Sequence, residues 1–295
     1  MNAKIYDKIA TSIFYLIASL IMLLLFLIVG YILYKGIGVL NLKFITTPPK
    51  FMEPGGGVAP QLFNSFYLLV LSMLITIPLG VGAGIYMAEY ARPGRITDFI
   101  RLCIETLSSL PSIVVGLFGF LVFVNSLHWG FSLLSGALAI TVLNLPAMTR
   151  ISEDAIKSVP ESLKEASLAL GATKWETIYK VILPSAMLQL ITGTILTAGR
   201  VFGEAAALLY TSGMTTPDLK FNRLFSFSKV SPLNPLRPAE TLSVFIWKIN
   251  SESLVPDARQ VADGASALLI IIVFLFNIIS RYIGKMIYRK HTGSK

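Results

Sequence analysis

Two opposite charges stand four residues apart in an otherwise apolar stretch, LTAGRVFGEAAALLY at residues 196–210. On a helix, Arg200 and Glu204 would share one face. Charged groups at membrane depth are costly, and they usually face a bundle interior or a water-filled path. A guanidinium stays charged and offers a planar fork of donors that suits an oxyanion. Glu204 can pair with it when no anion is bound. A purely structural ion pair is the alternative.

Other polar residues accompany prolines inside apolar segments. Ser108, Ser109 and Ser112 flank Pro111, and Asn144 lies two residues before a second proline. A proline frees backbone groups and kinks a helix, so nearby polar side chains can line an anion path. The alternative is that these side chains bond only to their own helix.

The chain around these residues is typical of an integral membrane protein. It has 295 residues, of which 54% are hydrophobic and 14% charged, and its mean hydropathy is +0.71. Such a composition excludes an ordinary soluble domain. Several apolar runs are long enough to cross a bilayer as helices. We predict an all-α fold with six transmembrane helices at about 9–34, 63–88, 102–127, 131–149, 185–210 and 264–288.

The distribution of positive charge predicts the orientation. Most of the 25 Lys and Arg residues fall at the N-terminus, in two loops, and in a tail that runs from Arg281 to Lys295. The positive-inside rule places both termini and those loops in the cytoplasm. No basic patch interleaved with aromatic residues indicates nucleic acid. The predicted domains are residues 1–62, with the first helix and an outer loop, the transmembrane domain 63–288, and a cytoplasmic tail 289–295.

A long outer loop is predicted at 211–263, with little regular structure in much of it because it is rich in proline. It carries several basic residues, among them Arg223, Arg237 and Lys248, together with acidic ones. We predict a solvated face here. Attraction of anions is the alternative.

The predicted cytoplasmic loop 158–184, SVPESLKEASLALGATKWETIYKVILP, is organised as two short helices. Ser158 has capping-box spacing to a glutamate three residues later, and so does Thr173. Gly171 between the helices is a typical C-terminal stop. Trp175 lies on the apolar face of the second helix. That face packs on the protein's own helix ends or at the lipid interface, or it is a docking surface for a soluble partner.

This loop resembles the cytoplasmic EAA loop of ABC importer permeases. Glu165, Ala166, Gly171, Leu183 and Pro184 match that pattern in place. The resemblance implies a type I ABC importer permease (MetI-like) fold. It also implies that the loop inserts into a cleft on an ATPase subunit, with Glu165, Ala166, Gly171, Trp175 and Pro184 at the contact.

Two positions depart from the pattern, since Ser167 stands where a second alanine is usual and Val181 where isoleucine is common. The chain also has no G-x-x-x-x-G-K-[ST] phosphate loop. We therefore expect a non-catalytic subunit without a cofactor of its own, with ATP and Mg²⁺ bound by a partner ATPase.

Three further segments narrow the resemblance. ETLSSLPSIVVGLFGF (105–120), GRVFGEAAALLYTSG (199–213) and GIYMAEYARPGR (84–95) resemble the A-type permeases, PstA, of the bacterial phosphate-specific ABC importer. The likeness covers roughly residues 60–290. It implies a heterodimer with a C-type permease, two ATPase subunits and an extracytoplasmic phosphate-binding protein. The alternatives are an importer of molybdate, sulfate or phosphonate, a secondary transporter or channel, and a membrane scaffold without transport activity.

Overall fold

The computed structural model describes residues 3–50, 53–222, 228–252 and 256–292. Within these ranges every regular element is a helix, and none of the described residues forms a strand. Arg223, one of the basic residues considered above, lies outside the described residues. The all-α membrane prediction is therefore confirmed for the part of the chain that can be described.

The described residues form twelve helices that follow one another along the chain. The first six are α1 (Ala3–Gly36), α2 (Leu42–Thr46), α3 (Ala59–Ile85), α4 (Arg95–Ser108), α5 (Ser112–Gly119) and α6 (Leu133–Lys157). The others are α7 (Glu161–Ala169), α8 (Lys174–Thr177), α9 (Leu183–Gly203), α10 (Ala206–Leu209), α11 (Leu242–Glu252) and α12 (Ala258–Thr292). Three π-helical turns, Tyr86–Tyr90, Phe120–Ser126 and Ile178–Ile182, prolong α3 and α5 and join α8 to α9.

In the described part of the chain, five unbroken helices are long and apolar enough to cross a membrane, and a bent pair of helices can form a sixth span. The unbroken spans are Tyr6–Gly36, Ala59–Tyr90, Leu133–Lys157, Lys174–Gly203 and Ala258–Met286.

The predicted third span, 102–127, is not one straight helix. α4 and the helix that begins with α5 meet at a bend of 100°. The break falls at Pro111, because a proline disfavours the helical conformation of the residue before it. α4 is strongly amphipathic and buries none of its residues in this chain, which is typical of a helix that lies along a membrane surface.

Helices α3 and α6 run parallel and pack closely. A Cβ on Gly136 would lie 3.1 Å from Leu68, near the starts of the two helices, and a Cβ on Gly84 would clash with Ser152 near their ends. Because α3 and α6 run in the same direction, the chain between them must cross the membrane once in the opposite direction. The bent pair α4–α5 therefore supplies one crossing.

Helix α9 runs antiparallel to both of its long neighbours. Gly193 packs against Ile151 of α6, and farther back along α9 the Gln189 side chain accepts a hydrogen bond of 3.0 Å from Ser158 Oγ, beyond the end of α6. On its other side, a Cβ on Gly199 would lie 3.3 Å from the Asn277 amide of α12.

These directions place the start of α1 and the end of α12 at one end of the bundle. α1 is antiparallel to α12, since Gly36 packs on Asp263 at the end of α1 and the start of α12. The described helices therefore make six alternating crossings. We call the end that holds the start of α1, the end of α12 and the segment between α6 and α8 the terminal end, and the opposite one the loop end.

The predicted loop 211–263 is only partly irregular. α11 lies within it, and α12 begins at Ala258, six residues before the predicted start of the last span. Arg237 does not belong to a solvated face, because its side chain is fully buried. Its guanidinium donates to Asn64 Oδ1 at 2.8 Å and to the Pro232 carbonyl at 3.0 Å. Burial lowers the pKa of Arg237 to about 10.

A second buried charge lies beside Arg237. Glu240 accepts hydrogen bonds from Gln61 at 2.9 Å and from Lys248 at 3.1 Å. Together these side chains tie the loop-end segment to the start of α3. The solvated-face prediction is therefore wrong for Arg237, since the segment folds onto the bundle and removes this side chain from water.

Candidate functional site: a charged cavity and a coupling surface

Arg200 and Glu204 do not share a helical face. Arg200 lies in the last turn of α9, but the helix ends at Gly203 and Glu204 is extended, with φ −75° and ψ 119°. The Glu204 carbonyl accepts a hydrogen bond of 2.7 Å from Ser243 of α11, which fixes this turn of the chain. Within the described part of the chain, no ion pair within 4.0 Å joins Arg200 to Glu204. The predicted pair is therefore not formed.

Both residues instead line one cavity between α1, α9 and α12. Its volume is about 930 Å³. The lining residues are Val29, Gly199, Arg200, Gly203, Glu204, Leu269, Ile270, Val273, Phe274, Asn277, Ile278 and Arg281. Most of the wall is apolar, and the charged groups are two arginines and one glutamate.

The cavity lies within the membrane-spanning part of the bundle. Gly199 packs against Asn277, and Asn277 is inside the apolar span Ala258–Met286. Arg200 is exposed on the surface of the chain at this level. A guanidinium facing lipid would be strongly unfavourable, so this side of the chain faces water or another protein.

Asn277 and Arg281 were not among the predicted site residues. The sequence interpretation assigned Arg281 to the cytoplasmic tail, yet it lines the cavity. A signal was available, because the two residues stand one helical turn apart in the apolar stretch IIIVFLFNIISRYIG. Only the packing of α9 on α12 shows that they face Arg200.

The structure does not bring the predicted serines to this cavity. Ser108 and Ser109 donate to carbonyls of their own helix, those of Ile104 and Thr106, at 2.8 Å. For these two serines, the alternative that the side chains bond only to their own helix is therefore the one observed. Ser112 begins α5 and is half-buried.

Asn144 does not line the cavity either, but its hydrogen bonding differs from that of the serines. It is 1% exposed, and both atoms of its side-chain amide lack a hydrogen-bond partner within the described part of the chain. A buried, unpaired amide is costly. Such a residue is rare unless it has a role beyond packing.

The loop between α6 and α9 forms the predicted helical corner. α7 ends before Gly171, whose φ of +85° is the left-handed conformation that glycine adopts readily. Thr173 and Glu176 form the predicted capping box at the start of α8. The first predicted capping box is absent. Pro160 precedes α7 without a side-chain cap, and Ser158 Oγ instead donates to Ala155 at the end of α6.

Helix α7 is attached to the end of α3 by a nearly buried ion pair. Lys164 Nζ lies 2.6 Å from Glu89 Oε1, and the two side chains are only 13% and 10% exposed. Burial alone would lower the pKa of Lys164, but hydrogen bonds and attraction from Glu89 and Glu161 outweigh it and raise the pKa. Lys174 adds a bond to the Glu89 carbonyl and lies over the Tyr90 ring at 4.7 Å.

The apolar residues of this corner divide into two sets. Ile178 and Ile182 are buried in a core cluster with the end of α6. Others point away from the protein and form what we call the coupling surface: Leu163, Leu168, Leu170, Trp175 and Tyr179. Glu165 and Ala166 are exposed among them. An apolar patch of this kind marks an interaction site.

Pro184 does not separate the loop from the fifth span. It lies in the first turn of α9, where a proline is tolerated. The chain from Lys174 to Gly203 is one span of 30 residues. Trp175 and Tyr179 of the coupling surface and Arg200 are therefore carried by one continuous helical span.

A helical membrane protein with six crossings, a membrane-level charged cavity and an exposed coupling surface belongs to the class of transport permeases. Residues 80–292 match the family described as "Binding-protein-dependent transport system inner membrane component". The chain belongs to this family, and it is a non-catalytic permease subunit of an ABC importer.

Curated relatives agree with this assignment. The chain is 56% identical over its full length to the "Probable ABC transporter permease protein YqgI" of Bacillus subtilis (strain 168), which is also covered in full. It is 35% identical to the "Phosphate transport system permease protein PstA" of Yersinia pestis, over 84% of this chain and 80% of that protein.

Solved structures share the fold. A chain of the MetNI methionine ABC transporter aligns with a TM-score of 0.57 and 20% identity, over 77% of this chain and 93% of that one. A chain of a bacterial alginate ABC transporter aligns with a TM-score of 0.65 and 14% identity, over 96% and 98%. At these identities the likeness shows the fold alone.

Proposed function

We propose that this chain is the A-type permease of an ATP-driven importer of inorganic phosphate, with Arg200 in the translocation path. The observation that carries the proposal is the Arg200 guanidinium in a membrane-level cavity, where none of the described carboxylates pairs with it. A fixed guanidinium binds a phosphate oxyanion through two parallel hydrogen bonds. The identity of about a third to phosphate permeases supports this substrate.

Glu204 would oppose anion binding that is too tight. It lines the same cavity as Arg200 but is held away from it by the end of α9. A carboxylate near a bound dianion repels it, which favours release. Asn144, Ser108, Ser109 and Ser112 stay predicted path residues, and Asn144 is the strongest of them because its amide is unpaired.

The coupling surface supplies the connection to ATP. We assign it to a cleft on a partner ATPase that binds ATP and Mg²⁺, with Glu165, Ala166, Gly171 and Trp175 at the contact. Movement of the ATPase would act on α8, and the π-helical turn joins α8 to α9. A 30-residue helix is about 45 Å long. This continuous helical span would transmit the movement of α8 to Arg200, which is allosteric coupling through a rigid element.

The assembly follows from these two surfaces. A C-type permease would cover the membrane face that exposes Arg200, two ATPase subunits would dock at the terminal end, and a phosphate-binding protein would deliver substrate at the loop end. The terminal end is then cytoplasmic, in the bacterial cell membrane. Its many Lys and Arg residues agree with the positive-inside rule.

The experiment is uptake of labelled phosphate by cells that lack their own permease and carry this chain with its partner subunits. Wild type should import phosphate, while Arg200→Gln should insert normally and lose uptake. Arg200→Lys keeps the charge but not the planar fork, so it should retain only part of the activity. Import of molybdate or sulfate but not phosphate would refute the substrate. Normal uptake by Arg200→Gln would refute the role of Arg200.

A further inference from the structure

The cavity wall contributed by α12 is a single stripe of one helix. Ile270, Val273, Phe274, Asn277 and Arg281 follow the spacing of one helical face. The stripe is apolar toward the loop end and polar toward the terminal end. Asn277 and Arg281 are therefore neighbours one turn apart on the surface that faces α9.

The level of Arg281 relative to Arg200 follows from the helix packing. Gly199, next to Arg200, lies against Asn277, and Gly284 packs on Ile191 closer to the terminal end. Arg281 lies between these two contacts. Four residues of helix rise about 6 Å. The Cα atom of Arg281 is thus about one turn closer to the terminal end than the Cα atom of Arg200.

Neither guanidinium is neutralised by the protein. Within the described part of the chain, no carboxylate lies within 4.0 Å of Arg200 or Arg281. Asn277 donates one hydrogen bond, to the Val273 carbonyl at 2.8 Å. Two like charges in a largely apolar cavity repel each other. An oxyanion that enters the cavity lowers that repulsion and accepts hydrogen bonds from the guanidinium that it reaches.

We propose that Arg281 is a second anion-binding residue of this cavity, in series with Arg200 and closer to the terminal end. The inference rests on the proposed transport function. Its ligand is a free, phosphate-like oxyanion. Arg200 receives the anion first, and Arg281 draws it toward the terminal end. A lipid headgroup carries similar chemistry, so the test must separate the two sources.

The test uses the purified complete transporter in detergent, with its melting temperature measured with and without phosphate, sulfate or molybdate. A ligand that binds only the folded protein raises that temperature. Wild type should be stabilised by at least one of these anions. Arg281→Gln should weaken the apparent affinity about ten- to a hundredfold, the effect of losing charge-assisted hydrogen bonds. Arg289→Gln removes an exposed charge two turns farther along α12 and should leave the affinity unchanged.

The outcomes separate this inference from the proposed function. Stabilisation by sulfate or molybdate alone, lost in Arg281→Gln, refutes phosphate as the substrate and supports Arg281. An unchanged anion response in Arg281→Gln overturns the role of Arg281, even if its melting temperature without anion is lower. The role of Arg281 is also overturned if none of the three anions raises the melting temperature of wild type. It is overturned as well if only added phosphatidylglycerol stabilises the protein.

Discussion

The ion pair between Lys164 and Glu89 should hold the coupling surface in place. Fully exposed pairs contribute about 0.2–1 kcal/mol, whereas removing one partner of a buried pair costs about 3–5 kcal/mol. The two side chains are 13% and 10% exposed and 2.6 Å apart, so Lys164→Met should cost about 3 kcal/mol. At roughly 2 °C per kcal/mol for a chain of this size, the melting temperature should fall by about 5 °C or more.

A matched control is available on the neighbouring helix. Lys180 pairs with Glu176 at 3.2 Å, but these side chains are 67% and 43% exposed. Lys180→Met should therefore leave the melting temperature almost unchanged. Both variants are measured in the purified complex, together with phosphate imported per ATP hydrolysed, a ratio that should fall only for Lys164→Met.

A double variant isolates the interaction. Lys164→Met combined with Glu89→Gln should lose little more stability than Lys164→Met alone, because the stranded carboxylate is then removed. Equal shifts for Lys164→Met and Lys180→Met would refute the reasoning. The reasoning would also be refuted if the loss of stability in the double variant equalled the sum of the losses caused by Lys164→Met and Glu89→Gln separately.

Three further predictions concern the interior and the loop end. Asn144→Leu removes the unpaired amide, so it should raise the melting temperature while phosphate uptake falls; unchanged uptake would exclude Asn144 from the path. Gly84→Ala would clash with Ser152 and should cost about 1–3 kcal/mol in thermal unfolding, whereas Gly82→Ala, with open space around it, should be neutral or slightly stabilising. Burial raises the pKa of Glu240 above its ordinary 4.5, so the contribution of Glu240 to stability is complete below pH 4.5 and is lost as pH rises through the raised pKa. Glu240→Gln should remove that pH dependence from the melting temperature. A pH profile of the melting temperature that is unchanged in Glu240→Gln would contradict this prediction.

Local signals in the sequence were sufficient for the membrane class and for the helical corner of the coupling element. Long apolar runs must be helical in lipid because each backbone group needs a partner within its own segment. The turn at Gly171 and the cap at Thr173 depend on a few neighbouring residues, so their spacing predicted them. Pro111 marked the break between α4 and α5, although its 100° angle depends on packing.

The cavity was decided by tertiary structure. Spacing alone put Arg200 and Glu204 on one helical face, but α9 ends at Gly203, where the chain turns to meet Ser243. Arg281 looked like part of a basic tail until the antiparallel packing of α12 on α9 brought it to the same cavity as Arg200. These features depend on residues far apart in the chain, and local periodicity in the sequence does not predict which helices pack against one another.

The burial of Arg237 at the loop end shows most clearly what the sequence alone could not predict. A basic residue in a loop rich in proline predicts exposure, because burial of a charge without partners is strongly unfavourable. Arg237 is buried because Asn64 and the Pro232 carbonyl accept its hydrogen bonds. Sequence alone predicted a helical membrane permease with a two-helix corner between two of its spans. Only the fold determined which charges face one another, since that requires partners supplied by other helices.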